Sequence, residues 1–347
     1  MRFSLRLIQL LSAIGGLCLS GLATAPALAE DSGANTVVKM GVVSRPDQAP
    51  FEIAYRRGYF ERRGITIDPV PASSGQEFAS ALATEQIQVA SGVPNAALFN
   101  AFNRGIGIRI VADFAHLGDK QDRTVSIVVR ASLYDSGQVK APADLKGRVI
   151  NEGPYPGQYP DVLWAKVLAL GLLTETDVTV THIGFSDALG AMGSGKVDAA
   201  FMIEPLVTQA DSKNIARILL PAGAVDPGAE LSIVLFSPSF AQNRDAGARF
   251  LAAFLEGARD YYDAFFLNKN RDDVVKLVTT YLSVKDPALW ATARQFTDLN
   301  GQVNVDDLKR QAAFFKQQGT LSGPVPVIDA YLDKRFAEDA VKIIGKR

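Results

Sequence analysis

The chain has 347 residues, of which 48% are hydrophobic and 21% are charged, so it is long enough to bury two substantial cores. Its formal net charge is −1, and its lysines and arginines are scattered, which excludes the basic surface that nucleic-acid binding needs. We therefore expect a globular protein of two domains that binds no nucleic acid.

The first 29 residues have the three parts of a secretory signal peptide. Two arginines precede an apolar run, and Ala27 and Ala29 supply the small residues of a cleavage site. The alternative is a membrane anchor, but the run is short and interrupted by serine and glycine. Cleavage before Glu30 would remove Cys18, the only cysteine, and leave a periplasmic protein without disulfides or cysteine-bound metals.

From residue 36 onward strand and helix patterns alternate, which predicts an α/β fold with a mainly parallel sheet in each of two lobes. The first lobe contains the strand patterns "TVVKMGVV", "ITIDPV", "IQVASG" and "IRIVADF", with helices between them. The second contains "RVINEG", "VTVTHI" and "VDAAFMI", with helices at 161–170 and 186–195. Past residue 236 the pattern is helical, and helices are expected at 271–282, 286–297, 305–318 and 326–345.

This order predicts a discontinuous first lobe. Residues 36–128 and 232–347 are assigned to lobe 1, residues 129–231 to lobe 2, and the helical C-terminal part is expected to pack back on lobe 1. The chain then crosses between the lobes twice. We expect the two crossings to act as a hinge.

Two segments 110 residues apart share the same pattern. "SALATEQIQVASGVPN" and "ALGAMGSGKVDAAFMIEP" each indicate a helix, a polar turn and an apolar strand. At this offset Ala81 aligns with Ala191, and Pro94 aligns with Glu204. Few positions are identical, so a chance likeness between two α/β units is the alternative to an internal repeat.

Candidate ligand-binding residues are those that follow the predicted strands, because ligands of parallel α/β sheets bind beyond the carboxyl ends of strands, near helix amino termini. In lobe 1 the candidates are Arg45, Asp47, Gln48, Ser73, Ser74, Gln76, Pro94, Asn95, Phe114 and His116. In lobe 2 they are Asn151, Glu152, Tyr155, Phe185 and Glu204. For the serines, helix capping is an equally good explanation.

Two features of lobe 2 carry most of the chemistry. In the loop "NEGPYPGQYPD", Tyr155 and Tyr159 can close over a flat ligand by stacking, or can simply pack at the surface. Glu204 ends an apolar strand, where an unpaired carboxylate would be costly, so it should face a polar cleft. The alternatives for Glu204 are a helix cap and an ion pair between the lobes.

Four segments of the chain resemble the successive motifs of periplasmic solute-binding proteins of ABC importers, in the branch that includes nitrate, sulfonate, taurine and thiamine-pyrimidine binders. They are "FEIAYRRGYFERRGITI", "SGQEFASALATEQIQVASG", "ADLKGRVI" and "GFSDALGAMGSGKVDAAFMIEP". The resemblance implies a two-lobed, type II fold that closes on a small solute. It also implies a permease as partner, a monomer, no cofactor and no catalysis, and it places Glu204 and Pro205 at the cleft.

The candidate residues offer aromatic rings and charges of both signs, whereas binders of small anions in this family usually supply serine and threonine donors. This favours an aromatic or heterocyclic solute over a sulfonate-like one. The competing class is an enzyme on the same fold, of the pyrimidine-precursor synthase or menaquinone-pathway type. The first type relies on a cysteine-rich iron motif and the second works in the cytoplasm, so an exported chain without thiols argues against both.

Overall fold

The computed structural model describes residues 35–72, 77–292 and 294–347. Within these ranges the strands are Thr36–Val42 (β1), Ile65–Pro71 (β2), Val89–Gly92 (β3), Arg109–His116 (β4), Val125–Arg130 (β5), Val149–Asn151 (β6), Thr179–Thr181 (β7), Ala199–Ile203 (β8), Ala216–Pro221 (β9) and Glu230–Phe236 (β10). The helices are Ala49–Arg56 (α1), Phe78–Ala83 (α2), Ala96–Asn103 (α3), Ala131–Asp135 (α4), Tyr159–Leu170 (α5), Phe185–Gly193 (α6), Leu206–Ser212 (α7), Ala222–Val225 (α8), Arg244–Phe265 (α9), Arg271–Tyr281 (α10), Val305–Gln317 (α11) and Arg335–Ile344 (α12). The expected signal peptide at 1–29 lies outside the described residues.

The strands form two sheets of five. The first has the order β2-β1-β3-β10-β4, in which β1 is parallel to β2 and β3, and β10 is antiparallel to β3 and β4. The second has the order β7-β6-β8-β5-β9, in which β6 is parallel to β7 and β8, and β5 is antiparallel to β8 and β9. Four of the five strands in each sheet point the same way, which confirms the predicted α/β fold.

β5 and β10 are the strands that carry the chain from one sheet to the other. β4 belongs to the first sheet and β5 to the second, while β9 belongs to the second and β10 to the first. The lobe boundaries expected from the sequence fall inside β5 and β10, whereas the chain changes sheets in the loops before them. In the structure, lobe 1 is the lobe of the first sheet and lobe 2 that of the second, so β10 belongs to lobe 1 and β5 to lobe 2. Both strands are mainly apolar, as expected of strands that are hydrogen-bonded on both sides, so their composition does not mark the crossing.

The two segments that lie 110 residues apart make equivalent hydrogen bonds. Gln86 N donates to Ala81 O at 2.9 Å, and Lys196 N donates to Ala191 O at 2.8 Å. The strand that follows each turn pairs with the first strand of its sheet in a register that also shifts by 110 positions. The paired residues are Met40 with Val89, Gly41 with Ala90, Ile150 with Ala199 and Asn151 with Ala200.

The chain after β10 is mostly helical and packs on the first sheet. Helix α9 begins after Asn243, whose side chain accepts the Ala246 N–H at 3.1 Å. Its buried face includes Phe250 and Phe254, which join one hydrophobic cluster with residues of β1, β4 and α12. None of the helices within the described ranges has the length and apolar character needed to cross a bilayer.

The helix predicted at 286–297 is absent, which corrects the sequence-based expectation. Only Pro287–Ala291 forms a short 3-10 helix, and the chain then runs along the edge of β4. There Gln295 Nε2 and Thr297 Oγ1 both donate to the carbonyl of Phe114, at 2.9 and 2.8 Å. These tertiary hydrogen bonds hold the segment in an extended form. The last helix, expected from 326, begins at Arg335.

The contact between α1 and α9 depends on a glycine. A Cβ on Gly257 would lie 2.7 Å from the Ala54 Cβ and closer still to the Pro50 carbonyl oxygen. We expect Gly257→Ala to lower the free energy of unfolding by roughly 1–3 kcal/mol, because the two helices would be forced apart. Urea denaturation measures this change.

The matched control is Gly190→Ala in α6, where an added Cβ has no neighbour within 4 Å. This substitution should raise the free energy of unfolding by about 0.5–1 kcal/mol, because alanine loses less backbone entropy in a helix. Equal effects of the two substitutions would contradict the close packing of α1 on α9.

Candidate functional site

A cavity of about 190 Å³ is walled by strand ends of both sheets. From lobe 1 it is lined by Arg45, Pro46, Asp47, Val93, Ala115, His116, Leu231, Ser232, Tyr261 and Gln295. From lobe 2 it is lined by Thr124, Val125, Gln158, Tyr159, Pro160, Phe185, Phe201, Ile203 and Glu204. A ligand held here touches both lobes. We call it the interlobe cavity.

Arg45 and Asp47 form a bidentate ion pair on the lobe 1 wall. The Nη2–Oδ2 distance is 2.7 Å and the Nε–Oδ1 distance is 3.0 Å. The charge of Asp47 raises the pKa of Arg45 and outweighs the opposing effect of burial. Gln48 is buried behind the pair, where its Nε2 donates to Asp47 Oδ2 and to Ser91 Oγ. The guanidinium is therefore largely neutralised by its own carboxylate.

His116 presents one nitrogen to the cavity and uses the other for Asp113. Nδ1 lies 2.7 Å from Asp113 Oδ2, and Asp113 is fully buried at the end of β4. Burial alone would lower the pKa of His116, but the hydrogen bond and charge of Asp113 raise it overall. Nε2 has no hydrogen-bond partner among the described residues, so it is available to a ligand, as an acceptor when the ring is neutral and as a donor when the ring is protonated.

Glu204 both lines the cavity and caps a helix. Its Oε2 accepts the Thr208 N–H at 3.0 Å and its Oε1 accepts the Thr208 hydroxyl at 3.0 Å, at the start of α7. The Thr208 hydroxyl also lies 2.9 Å from Thr292 Oγ1, which belongs to the C-terminal part of the chain. Burial raises the pKa of Glu204, and the bonds from Thr208 oppose that rise. Two of the roles considered for Glu204, cleft residue and helix cap, thus coexist.

An aromatic wall covers the lobe 2 side of the cavity. The ring centroids of Phe185 and Phe201 are 5.8 Å apart, and Tyr159 meets Phe201 edge to face at 6.5 Å. Tyr159 is buried, and its hydroxyl donates to Asp226 Oδ2 at 3.0 Å. Burial, followed by the charge of Asp226, raises the pKa of Tyr159. Tyr159 is therefore a fixed wall rather than a lid.

Gln295 provides an acceptor on the opposite side. Its backbone N–H donates to the Tyr261 hydroxyl at 3.0 Å, and its Nε2 is used by Phe114 O. Its buried Oε1 accepts no hydrogen bond from the described part of the chain. Because a buried carbonyl without a partner is costly, this oxygen is suited to a donor on a bound molecule.

Of the residues predicted from the sequence, the interlobe cavity brings together Arg45, Asp47, His116, Phe185 and Glu204. Ser73, Ser74 and Gln76 lie outside the described residues. The remaining predicted residues lie elsewhere, and most of them serve the scaffold.

Phe114 does not line the cavity. It is fully buried on the other face of its sheet, where its ring stacks on Phe254 with centroids 5.1 Å apart. Ala115 and His116, which follow it on β4, line the cavity in its place. The strand lies where the pattern predicts it, but Phe114 is a core residue rather than a lining one.

Polar groups at two other strand ends are used by the backbone. Asn95 caps α3 and accepts the Leu98 N–H at 2.8 Å. Asn151 is fully buried, where its Oδ1 accepts the Ile183 N–H at 2.9 Å and fastens β6 to the chain after β7. Pro94 does not line the cavity, although the preceding Val93 does.

Glu152 and Tyr155 lie apart from the interlobe cavity. Glu152 lines a second cavity, which has a volume of about 880 Å³. Tyr155 is 46% exposed and lines neither of the two cavities.

Several lining residues were missed by the sequence reasoning, including Phe201, Leu231, Ser232, Tyr261 and Gln295. Phe201 and Ile203 alternate along β8, so the period of a strand could have indicated them. Leu231 and Ser232 belong to β10, which runs antiparallel, so its amino end rather than its carboxyl end reaches the cavity. Tyr261 and Gln295 come from the C-terminal part, whose return to the site no local pattern indicates.

Within the described ranges no three or more histidine, cysteine, aspartate or glutamate side chains are grouped as metal ligands. The polar groups of the cavity are instead those of a site for an organic molecule: an imidazole nitrogen of His116, an acceptor on Gln295 and a carboxylate on Glu204.

Residues 31–279 match the NMT1-like family. The chain belongs to this family. No curated protein sequence matches the chain.

Solved structures share the fold at low sequence identity. The periplasmic aliphatic sulphonate binding protein SsuA from Escherichia coli is 18% identical with a TM-score of 0.70, covering 87% of this chain and 99% of that one. The periplasmic nitrate-binding protein NrtA from Synechocystis PCC 6803 is 13% identical with a TM-score of 0.69, covering 90% of each chain. The desulfurization enzyme DSZB is 18% identical with a TM-score of 0.63, covering 89% of this chain and 99% of that one. These similarities confirm the two-lobed periplasmic binding protein fold.

His116 should titrate above the ordinary histidine pKa of about 6.5. A raised folded-state pKa contributes stability that is present below the unfolded pKa and is lost as the pH rises through the folded pKa. NMR titration of the imidazole, assigned with His182→Gln, measures this value.

Asp113→Asn should lower the His116 pKa, because the amide keeps an acceptor but removes the charge that favours imidazolium. A His116 pKa at or below 6.5 in the unsubstituted protein would contradict the proposed dominance of Asp113 over burial.

Proposed function

We propose that the protein is the solute-binding component of an ABC import system. It captures a small organic molecule in the interlobe cavity and delivers it to a membrane permease. The observation that carries this proposal is that residues at the strand ends of both sheets line one cavity, so a single ligand contacts both lobes. Membership in the NMT1-like family supports it. Under this proposal the chain is exported to the periplasm through a cleaved signal peptide and acts as a monomer.

The double crossing supports a mechanism of closure. Two segments connect the lobes, one leading into β5 and one leading into β10, so the lobes can rotate about this pair of crossings. A ligand that contacts both lobes favours the closed arrangement by its differential affinity for that state. To move the balance from 1:99 to 99:1 takes about 5.5 kcal/mol, which a few buried contacts and hydrogen bonds supply.

The walls of the cavity favour an aromatic or heterocyclic solute. A cavity of roughly 150 Å³ can hold benzene, so the 190 Å³ measured here suits a molecule with a single ring. The Phe185–Phe201 wall offers a face for stacking, and Gln295 and Glu204 offer acceptors for ring N–H groups.

A sulfonate-like solute is the second candidate, because the E. coli relative of the fold is a sulphonate binding protein. In this chain Arg45 is already neutralised by Asp47, and Glu204 would repel an anion. His116 alone would have to balance the anionic charge. The distribution of charge therefore favours a neutral or cationic ring.

An enzyme is the competing function, because DSZB has the same fold and because the hydrogen-bonded pair of His116 and Asp113 resembles an acid–base pair. The described residues contain no cysteine, since Cys18 is the only one in the chain. A cysteine nucleophile is therefore missing from the cavity walls. This favours binding over catalysis.

Native mass spectrometry of the protein from its own host should detect one small molecule per chain, released on denaturation. After incubation of the emptied protein with that molecule, the molecule should be recovered chemically unchanged. Conversion to a product would favour the enzyme, and a protein that carries and rebinds nothing would count against the binding role.

Glu204→Gln should weaken binding of the recovered solute by about ten- to a hundredfold, because a charged hydrogen bond is worth about 1.5–3 kcal/mol. Calorimetric titration measures the affinity. The matched control is Thr208→Val, which removes the hydroxyl that donates to Glu204 but leaves the carboxylate in the cavity.

Both substitutions weaken the cap of α7, so both should lower the melting temperature by similar amounts. Only Glu204→Gln should lose affinity. An equal loss of affinity in both variants would mean that Glu204 acts through the helix cap and not through contact with the solute.

A further inference from the structure

The second cavity lies between one helix from each lobe and has unbalanced negative charge. Its volume is about 880 Å³, and its walls include α5 of lobe 2 and α11 of the C-terminal part. Pro156 and Asp161 line it, while the residues between them, Gln158 to Pro160, line the interlobe cavity. The two cavities therefore lie on either side of the start of α5.

Glu152 is the central observation. Its side chain lines the second cavity, and only 7% of the residue is exposed. It has no hydrogen-bond or ion-pair partner among the described residues. The ionised form of a carboxylate at this position is costly without a partner, and a cation received by the cavity would supply one.

Asp161 adds a second carboxylate to the wall of the same cavity. Its Oδ2 accepts the Gly157 N–H at 2.6 Å, whereas its buried Oδ1 has no partner within the described part. Glu175, on the same wall, has no ion-pair partner in the described ranges either. Three acidic groups thus face one space.

The cations that line this cavity are already paired with other acids. Lys166 Nζ lies 2.5 Å from Asp226 Oδ1, and Arg310 Nη2 lies 3.1 Å from Asp307 Oδ1. His182 is the remaining titratable group on the walls. Its charge opposes that of Asp161, but Glu152 and Glu175 make no ion pair among the described residues, so the three acids outnumber the unpaired bases of the cavity and favour a cation.

We infer that the second cavity binds an organic ammonium ion, with Glu152 and Asp161 as its counter-ions and the apolar side chains of α5 and α11 around its hydrocarbon part. The apolar walls include Val162, Leu168 and Phe314. A compact inorganic cation would leave these side chains without contacts. This inference does not rest on the proposed function of the interlobe cavity.

The raised pKa of Glu152 supports this assignment and predicts that binding of a cation releases a proton. Burial, followed by the charges of Asp161 and Glu175, raises the pKa of Glu152 to about 8. Burial also raises the pKa of Asp161 to about 6, against the lowering effect of the Gly157 N–H. At pH 7 Glu152 is therefore mostly protonated, and an ammonium ion must displace that proton when it binds.

The test is calorimetric titration of the purified protein with cyclohexylamine and with cyclohexanol, a neutral molecule of nearly the same shape. Cyclohexylamine should bind about tenfold or more tightly than cyclohexanol, and should release close to one proton at pH 7. The affinity for cyclohexylamine should rise by up to about tenfold per pH unit between pH 6 and 8 and then level off. Over this range the amine itself stays protonated, as the amino group of lysine does.

Glu152→Gln should weaken cyclohexylamine binding by about tenfold or more and abolish most of the proton release. Glu204→Gln, in the other cavity, serves to assign the site, because amine binding that Glu152→Gln weakens and Glu204→Gln does not belongs to the second cavity. Circular dichroism checks that each variant is folded.

Equal affinity for the amine and the alcohol, or no binding of the amine, would overturn the inference, and neither comparison needs a variant. Loss of amine binding in Glu204→Gln but not in Glu152→Gln would overturn it as well, because the amine would then occupy the interlobe cavity.

Discussion

The rest of the structure depends on the two crossings of the chain between the sheets, one before β5 and one before β10. Each of these strands is hydrogen-bonded to a neighbour on both sides, so neither can leave its sheet without breaking two ladders. The residues at which they enter, Thr124 and Val125 for one and Leu231 and Ser232 for the other, line the interlobe cavity. The start of each of these strands is therefore held by its sheet and also forms part of the cavity wall.

A group of buried acids fastens the second crossing. Glu230, at the start of β10, is almost fully buried, and its backbone N–H donates to Asp307 Oδ2 at 2.8 Å. Burial, followed by the charge of Asp113, raises the pKa of Glu230 and favours its protonated form. Asp307 belongs to α11, and Gln311 of the same helix donates its Nε2 to the Glu230 carbonyl at 2.8 Å, so two residues of α11 hold the start of β10. Through Asp113 these acids are continuous with His116, so the crossing and one cavity wall share a polar network.

The order of strands and helices could be predicted because it depends on local patterns. The turn before β3 and the turn before β8 illustrate this: Glu85 and Gly195, 110 positions apart, both have a positive φ, of 58° and 77°. Glutamate rarely adopts this conformation, so no composition rule identifies the turn at Glu85, yet the surrounding pattern does. The repeat is thus visible in the periodicity although few residues are identical.

The binding site was harder to predict because its members are chosen by tertiary contacts. A strand pattern indicates where a strand ends but not which of its last residues pack in the core, which is why Phe114 is predicted alongside His116 while Ala115 is not. Polar residues at strand ends are equally useful to the backbone, as Asn95 and Asn151 illustrate. Gln295 was expected in a helix, and its hydrogen bonds to Phe114 O and to the Tyr261 hydroxyl, which no local pattern indicates, bring it to the site.

What distinguishes the interlobe cavity is that its main groups are held before any ligand arrives. Tyr159 is fixed by Asp226, and His116 by Asp113. Because these side chains lose little freedom on binding, the entropic cost of ordering them has already been met during folding. The cavity should therefore select a solute by its shape and by the positions of its donors, and lobe closure then depends on how many of these fixed groups one molecule can contact at once.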